Sequence, residues 1–207
     1  DNGPTQVDNA PIPQNAFNLA AERGDSNFDI RNRFVLSAIY DLPFGHGRSF
    51  GASSKLVNAI AGGLTVKAII SAQGGLPFNP VQSVDQSNTG TTARPNRIAS
   101  GALPDAQRGY RRWFDTSAFT TPAQYTFGNA GRDILRGPGF HNFDLALSKN
   151  AKIFERTSGE LRIEAFNVLN TPQFGLPNAT LGQGTTAAIS TVVNPQRQIQ
   201  AAIRIAF

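Results

Sequence analysis

The chain has 207 residues, enough for one domain or two small ones. It is 40% hydrophobic and only 16% charged, with 20 Gly, 13 Pro and neither Cys nor Met; that excludes a disulfide framework, a thiolate zinc site and a cysteine nucleophile, and argues against a coiled coil or helical bundle. The net charge is +5, but the 15 Arg and 4 Lys are scattered and Arg111–Arg112 is the only adjacent basic pair, so no phosphate-binding strip is declared and nucleic acid is not an expected partner.

Residues 1–29, rich in Asn, Asp, Pro and Gly, read as an irregular lead-in or loop. Residues 30–42 alternate, with Phe34, Leu36, Ala38 and Tyr40 on one face and Val35, Ser37, Ile39 and Asp41 on the other, as in a half-apolar strand. Residues 53–60 are expected to form a helical turn capped by Ser53 or Ser54 and stopped by Gly62-Gly63. In 64–73, Leu64, Val66, Ala68, Ile70 and Ala72 oppose Thr65, Lys67, Ser71 and Gln73, with Ile69 the exception. Residues 75–139 hold no long periodic segment, and a loop of that length is usually functional. Three more strands are predicted over 140–149, 160–168 and 198–207, joined by a link over 150–159 and a longer loop over 171–197.

No run of about 18 apolar residues is present, so no transmembrane helix is predicted; a barrel strand, however, needs only about 9–11 alternating residues. The half-apolar strands fit either a soluble β-sandwich, including an adhesin-like binding module, or an outer-membrane barrel whose apolar face meets lipid. Three features favour the barrel. The strands approach the spanning length. Their polar faces carry Lys67, Asp144, Arg162, Glu164 and Arg204, suited to a wet lumen. Links of about 20 and 10 residues alternate with loops of about 65 and 27, the short-turn, long-loop asymmetry of a barrel. The last ten residues, Gln-Ile-Gln-Ala-Ala-Ile-Arg-Ile-Ala-Phe207, keep a dyad pattern to a terminal aromatic.

Several blocks carry a family likeness: Asp29-Ile-Arg-Asn-Arg-Phe-Val-Leu-Ser-Ala-Ile-Tyr-Asp-Leu-Pro-Phe-Gly45, Ser71-Ala-Gln-Gly-Gly-Leu-Pro-Phe78, Arg94-Pro-Asn96, Trp113-Phe-Asp-Thr-Ser-Ala-Phe119, the run from Phe127 to Lys149, Arg162-Ile-Glu-Ala-Phe-Asn-Val-Leu-Asn170 and Pro172-Gln-Phe-Gly175. On these the chain, over about residues 28–207, resembles the C-terminal part of the Oar-like TonB-dependent transporter β-barrels. It departs at Gly63-Leu64, where such barrels often place an aromatic. The resemblance implies an outer-membrane location, energy-coupled uptake of a solute not identified by the sequence, contact with the TonB complex through a missing N-terminal part, and reading of the strand ending at Phe207 by the barrel-assembly machinery. With Phe207 periplasmic, the loops 75–139 and 171–197 fall outside the cell. Bacterial barrels start at about eight strands, so the expected fold is all-β: an antiparallel barrel fragment of about five long strands plus long loops, not closed on its own. The absence of Met, at position 1 included, is expected of an incomplete translation product.

No reaction is predicted, and no cofactor or metal. His46 and His141 fall in separate segments without further ligands at metal spacing. Asp85-Gln-Ser-Asn-Thr-Gly90 lacks the ligand positions of a calcium loop and reads as an Asx turn. Asn178-Ala-Thr180 matches a glycosylation acceptor that a bacterial barrel leaves unused. Arg162 and Glu164 share a face and are placed to pair. The candidate solute contacts are Arg111, Arg112, Trp113, Phe114, Arg132 and Arg136, in and around an aromatic cluster with Phe119, Tyr125 and Phe127 in the longest loop. Loops concentrate recognition residues, and arginines attract anionic solutes or lipopolysaccharide phosphates; the competing reading is that the aromatics bury themselves to hold the loop in shape.

Overall fold

In a computed structural model the described residues are 12–44, 50, 60–91, 93–154 and 157–207. The helical turn expected over 53–60, with Ser53 and Ser54, lies almost wholly outside them, as does His46. The chain divides into two compact units.

One unit comprises Arg33–Gln73, His141–Pro172 and Asn194–Phe207. Its framework is a five-stranded sheet of β1 (Arg33–Asp41), β2 (Leu64–Gln73), β8 (Phe140–Phe154), β9 (Thr157–Phe166) and β11 (Gln198–Ala206), in that order, so each long strand neighbours the next along the chain. β1 and β11 are the edges; the sheet is open.

Cross-strand register sorts the side chains by chemistry. Phe34, Leu36, Ala38 and Tyr40 stand opposite Ala72, Ile70, Ala68 and Val66. Ala165, Ile163 and Leu161 stand between Leu145, Leu147 and Lys149 on one side and Ile199, Ala201 and Ile203 on the other. The intervening positions pair Glu164, Arg162 and Glu160 with Ala146, Ser148 and Asn150, and with Gln200, Ala202 and Arg204. Opposed residues in a ladder project to the same face, so the period-2 pattern becomes one face that is apolar up to Lys149 and one that is largely polar, interrupted by Val35, Ile39 and Ile69. The apolar face is not packed into a core: Ile203 is 75% exposed, and every residue of β1 and β11 is exposed.

The long strands fall where alternation places them, with one correction. The expected link over 150–159 is instead the tip of a hairpin: β8 runs on to Phe154 and β9 begins at Thr157, with Asn150 opposite Glu160 and Lys152 opposite Ser158. The Asn-Lys polarity suggests a loop, but a ladder accepts polar residues on a wet face. At the same end of the sheet Asn150 N–H donates to Gly63 O at 3.0 Å, and Gly63 has φ +72°, which a side chain rarely adopts.

The other unit comprises Asp1–Asn32, Gly74–Phe140 and Gln173–Val193. It is held by two-residue pairings: β3 (Pro77–Phe78) with β7 (Leu135–Arg136), β5 (Asn96–Arg97) with β6 (Phe119–Thr120), both antiparallel, and β4 (Val81–Gln82) with β10 (Thr180–Leu181), parallel. They surround a core of Phe78, Phe114, Ala118, Phe119, Leu135, Leu181 and Ala187. Phe78 lies 5.6 Å from Phe114 and Phe114 6.1 Å from Phe119, centroid to centroid, tilted or edge-on as aromatic quadrupoles prefer.

Candidate functional site

The segment 108–136 combines the two roles weighed from sequence. Phe114 is 1% exposed and central to the core. Trp113 packs against that core; its backbone N–H donates to Ala187 O at 2.9 Å and its indole Nε1–H to Arg136 O at 2.8 Å. Phe119 is buried too, whereas Tyr125 and Phe127 are exposed. Trp113 and Phe114 thus tie the loop 75–139 to the segment 173–193.

Arg136 is committed to internal partners. Its guanidinium donates to the carboxylates of Asp25 and Asp29 and to the carbonyls of Asp29 and Gly75, at 3.0 and 3.3 Å. The Arg136 guanidinium, with Arg31 at 3.0 Å, holds the Asp25 carboxyl below its usual range. Gly75 has no room for a Cβ, which would strike Gly137 O. Arg132 pairs with Asp133 at 3.6 Å; Asp133 is largely buried, and burial pushes its carboxyl up against the pull of Arg132. Arg111 and Arg112 are exposed: Arg111 stacks 5.5 Å over Tyr110, and Arg112 reaches Asp115 at 3.0 Å. Arg108 covers the Trp113 ring at 5.8 Å and pairs with Asp105 at 2.9 Å. Of the six sequence-nominated residues, two present guanidinium groups at the surface, and the others chiefly shape the loop that carries them.

Sequence reasoning missed a second tie. Arg94, 5% exposed, grips Glu22 through both terminal nitrogens at 2.7 and 3.1 Å, while Gln14 accepts from Arg94 N–H at 2.6 Å and donates to Gly128 O at 3.0 Å. Arg94 belongs to a quoted block, but nothing in sequence links it to Glu22, 72 positions away.

The Asp85 loop is an Asx turn as read: the carboxylate accepts from Ser87 Oγ at 2.6 Å and from the N–H groups of Ser87, Thr89 and Gly90 at 2.9 Å, and Ser87 heads the contacts that lower its pKa. The Asn178 side chain accepts from Thr180 N–H and donates to Gln183 and Thr185, closing its own turn. On the polar face of the sheet, Arg162 and Glu164 lie 3.5 Å apart and Gln200 also donates to Glu164. Among the described residues no group of three or more His, Cys, Asp or Glu could hold a metal.

Two hollows accompany these contacts. One, about 470 Å³, lies between segments 82–86, 116–121 and 181–186. The other, about 330 Å³, lies where β8, β9 and β11 begin or end, and its Asp144 carboxylate accepts from Asn142 and Asn167 at 2.8 and 2.9 Å.

A family model described as an outer membrane beta barrel domain matches residues 1–200. The chain belongs to this family. No curated protein and no solved structure matches it. As an outer-membrane barrel protein it lives in a lipid environment, which accounts for an open sheet whose apolar face has no protein cover: on a barrel wall that face meets hydrocarbon and the opposite face meets water. Membership decides between the two explanations of the alternating strands, against the soluble sandwich.

Proposed function

We propose that this chain is the C-terminal barrel segment of a TonB-dependent outer-membrane transporter or receptor, serving energy-coupled uptake of a solute. The observation that carries the reading is that the long interstrand segments build a packed unit with its own aromatic core. Solvated loops of this length need no such core, and a rigid loop scaffold is what recognition requires. The resemblance supports it further: Phe114, Arg94, Arg136 and Asn167, all within the quoted blocks, are joints of the structure. Asn167 accepts from Thr171 N–H and donates to the carbonyls of Thr171 and Pro195, at 3.0 to 3.3 Å.

On this reading β1, β2, β8, β9 and β11 are wall strands, the loops 75–139 and 171–197 face outside, and Arg111 and Arg112 are the solute-contacting members of the predicted set. The barrel-assembly machinery reads the strand ending at Phe207, and the TonB complex engages a part preceding this chain. No reaction and no nucleic-acid partner are assigned. The test is binding of the purified periplasmic domain of the host's TonB to the intact protein extracted from outer membranes in detergent. Saturable binding is expected; its absence, with the barrel folded, overturns the energy-coupled reading.

A further inference from the structure

We propose that the hollow of about 470 Å³ in the loop unit is a binding site for an uncharged polyhydroxylated solute, a saccharide. The proposal deepens the uptake reading and rests on it for the site's exposure to the outside. The volume falls within the roughly 300–1,000 Å³ of ligand clefts.

The lining is amide and hydroxyl: Gln82, Ser83, Gln86, Thr116, Thr121 and Gln183 contribute, and no ionisable side chain lines it among the described residues. Asp85 and Asp115, which flank the lining segments in sequence, have their carboxylates turned to their own loops: Asp85 as described, Asp115 towards Ser117 N–H, Ser117 Oγ and Arg112. An ion entering the hollow would lose hydration without gaining a counter-charge. A neutral polyol would not.

Hydroxyls and carboxamides both donate and accept, which matches sugar hydroxyls that do the same. Gln82 Nε2 reaches Thr120 O at 3.4 Å, and Gln183 Oε1 accepts from Asn178 at 2.9 Å, leaving the Gln183 amide N–H groups for a ligand. Among the described residues no hydrogen bond to protein occupies Ser83 Oγ, Thr116 Oγ1, Thr121 Oγ1 or the Gln86 amide. The floor is apolar: Phe119 and Leu181, both 7% exposed, border the hollow and suit the C–H face of a pyranose ring. The walls are fixed by the β4–β10 and β5–β6 pairings, so a ligand would not have to order them.

The experiment is titration calorimetry on the intact protein extracted from outer membranes. The probes are maltohexaose, cellohexaose, laminarihexaose and a neutral lipopolysaccharide core oligosaccharide freed of phosphate and of its acidic sugars, with inorganic phosphate and ferric citrate as charged controls. Saturable heat is expected with at least one saccharide and not with the controls, and the variant combining Thr116→Val with Gln183→Leu should weaken it at least about tenfold. Binding of the core oligosaccharide alone would still be saccharide recognition, with the membrane itself as source. If the double variant fails to assemble, Ser83→Ala at the exposed rim is read instead, with a loss of about threefold expected. No heat with any saccharide, equal heat with a charged control, or unchanged affinity in the folded variants overturns the proposal. TonB binding measured on the same preparation keeps this outcome separate from that of the uptake reading.

Discussion

Arg94 is the most deeply committed charge in the loop unit. Replacing it with Met leaves Glu22 half of a desolvated pair while the backbone N–H to Gln14 stays, a change expected to cost about 3–5 kcal/mol. Limited proteolysis should then cut within residues 12–32 while the β8–β9 hairpin stays protected. The carboxylates divide by sign. Asp25, Asp85 and Asp115 have folded pKa values below the ordinary one, set chiefly by Arg136, Ser87 and Ser117 respectively. Each therefore contributes stability that is complete above the unfolded value of about 3.9 and is lost as pH falls through the lower folded value. Asp133 is opposite: its raised pKa means that keeping it ionised costs stability, from its ordinary pKa upward. Asp133→Asn removes that cost and suits the position's φ of 52°, which Asn tolerates. Protection of the loop unit should rise at pH 7 and be unchanged near pH 3, as a pH series of protease half-lives would show.

At the scale of elements, the two faces of the sheet make opposite demands. Ile163 stands on the apolar face between Leu147 and Ala201, whereas Arg162, next to it, stands on the polar face between Ser148 and Ala202. Ile163→Arg should cost about 2–4 kcal/mol if it lies near the bilayer midplane. It should lower the amount of heat-modifiable barrel in outer membranes, while Arg162→Gln should leave that amount nearly unchanged. These faces were legible in the sequence because a lipid-facing strand must alternate, and alternation survives in a single line of residues. The hairpin tip was not, because Asn150 and Lys152 look the same in a loop as on a wet strand face. The loop unit was least legible. Its pairings are two residues long, and its decisive contacts, Gln14 with Arg94 and Arg136 with Asp29, join positions 80 and 107 residues apart. Trp113 and Phe114 stood out as aromatics, but only the fold distinguishes an aromatic that recognises from one that supports. The neutral hollow had no signal, since glutamines and threonines in three distant segments form no spacing pattern.

For the whole molecule, the open sheet leaves β11 as an edge whose residues are all exposed, ending in Phe207 at 96% exposure. An unpaired edge of alternating apolar residues is an aggregation hazard until it is paired. If the assembly machinery reads that strand, deleting Phe207 should reduce assembled protein in outer membranes several-fold and increase periplasmic degradation products, both visible by immunoblot. Equal assembly with and without Phe207 would remove its assigned role.

The loop unit is discontinuous in the chain, and three separated stretches meet around one aromatic core. Chimeras between relatives inherit that constraint. Transplanting residues 74–140 alone would bring Arg94 and Arg136 without the Glu22, Asp25 and Asp29 that answer them, and Trp113 without the Ala187 carbonyl it bonds. A loop unit exchanged by recombination would thus have to carry all three stretches across together, while drift within any one stretch is checked by the other two.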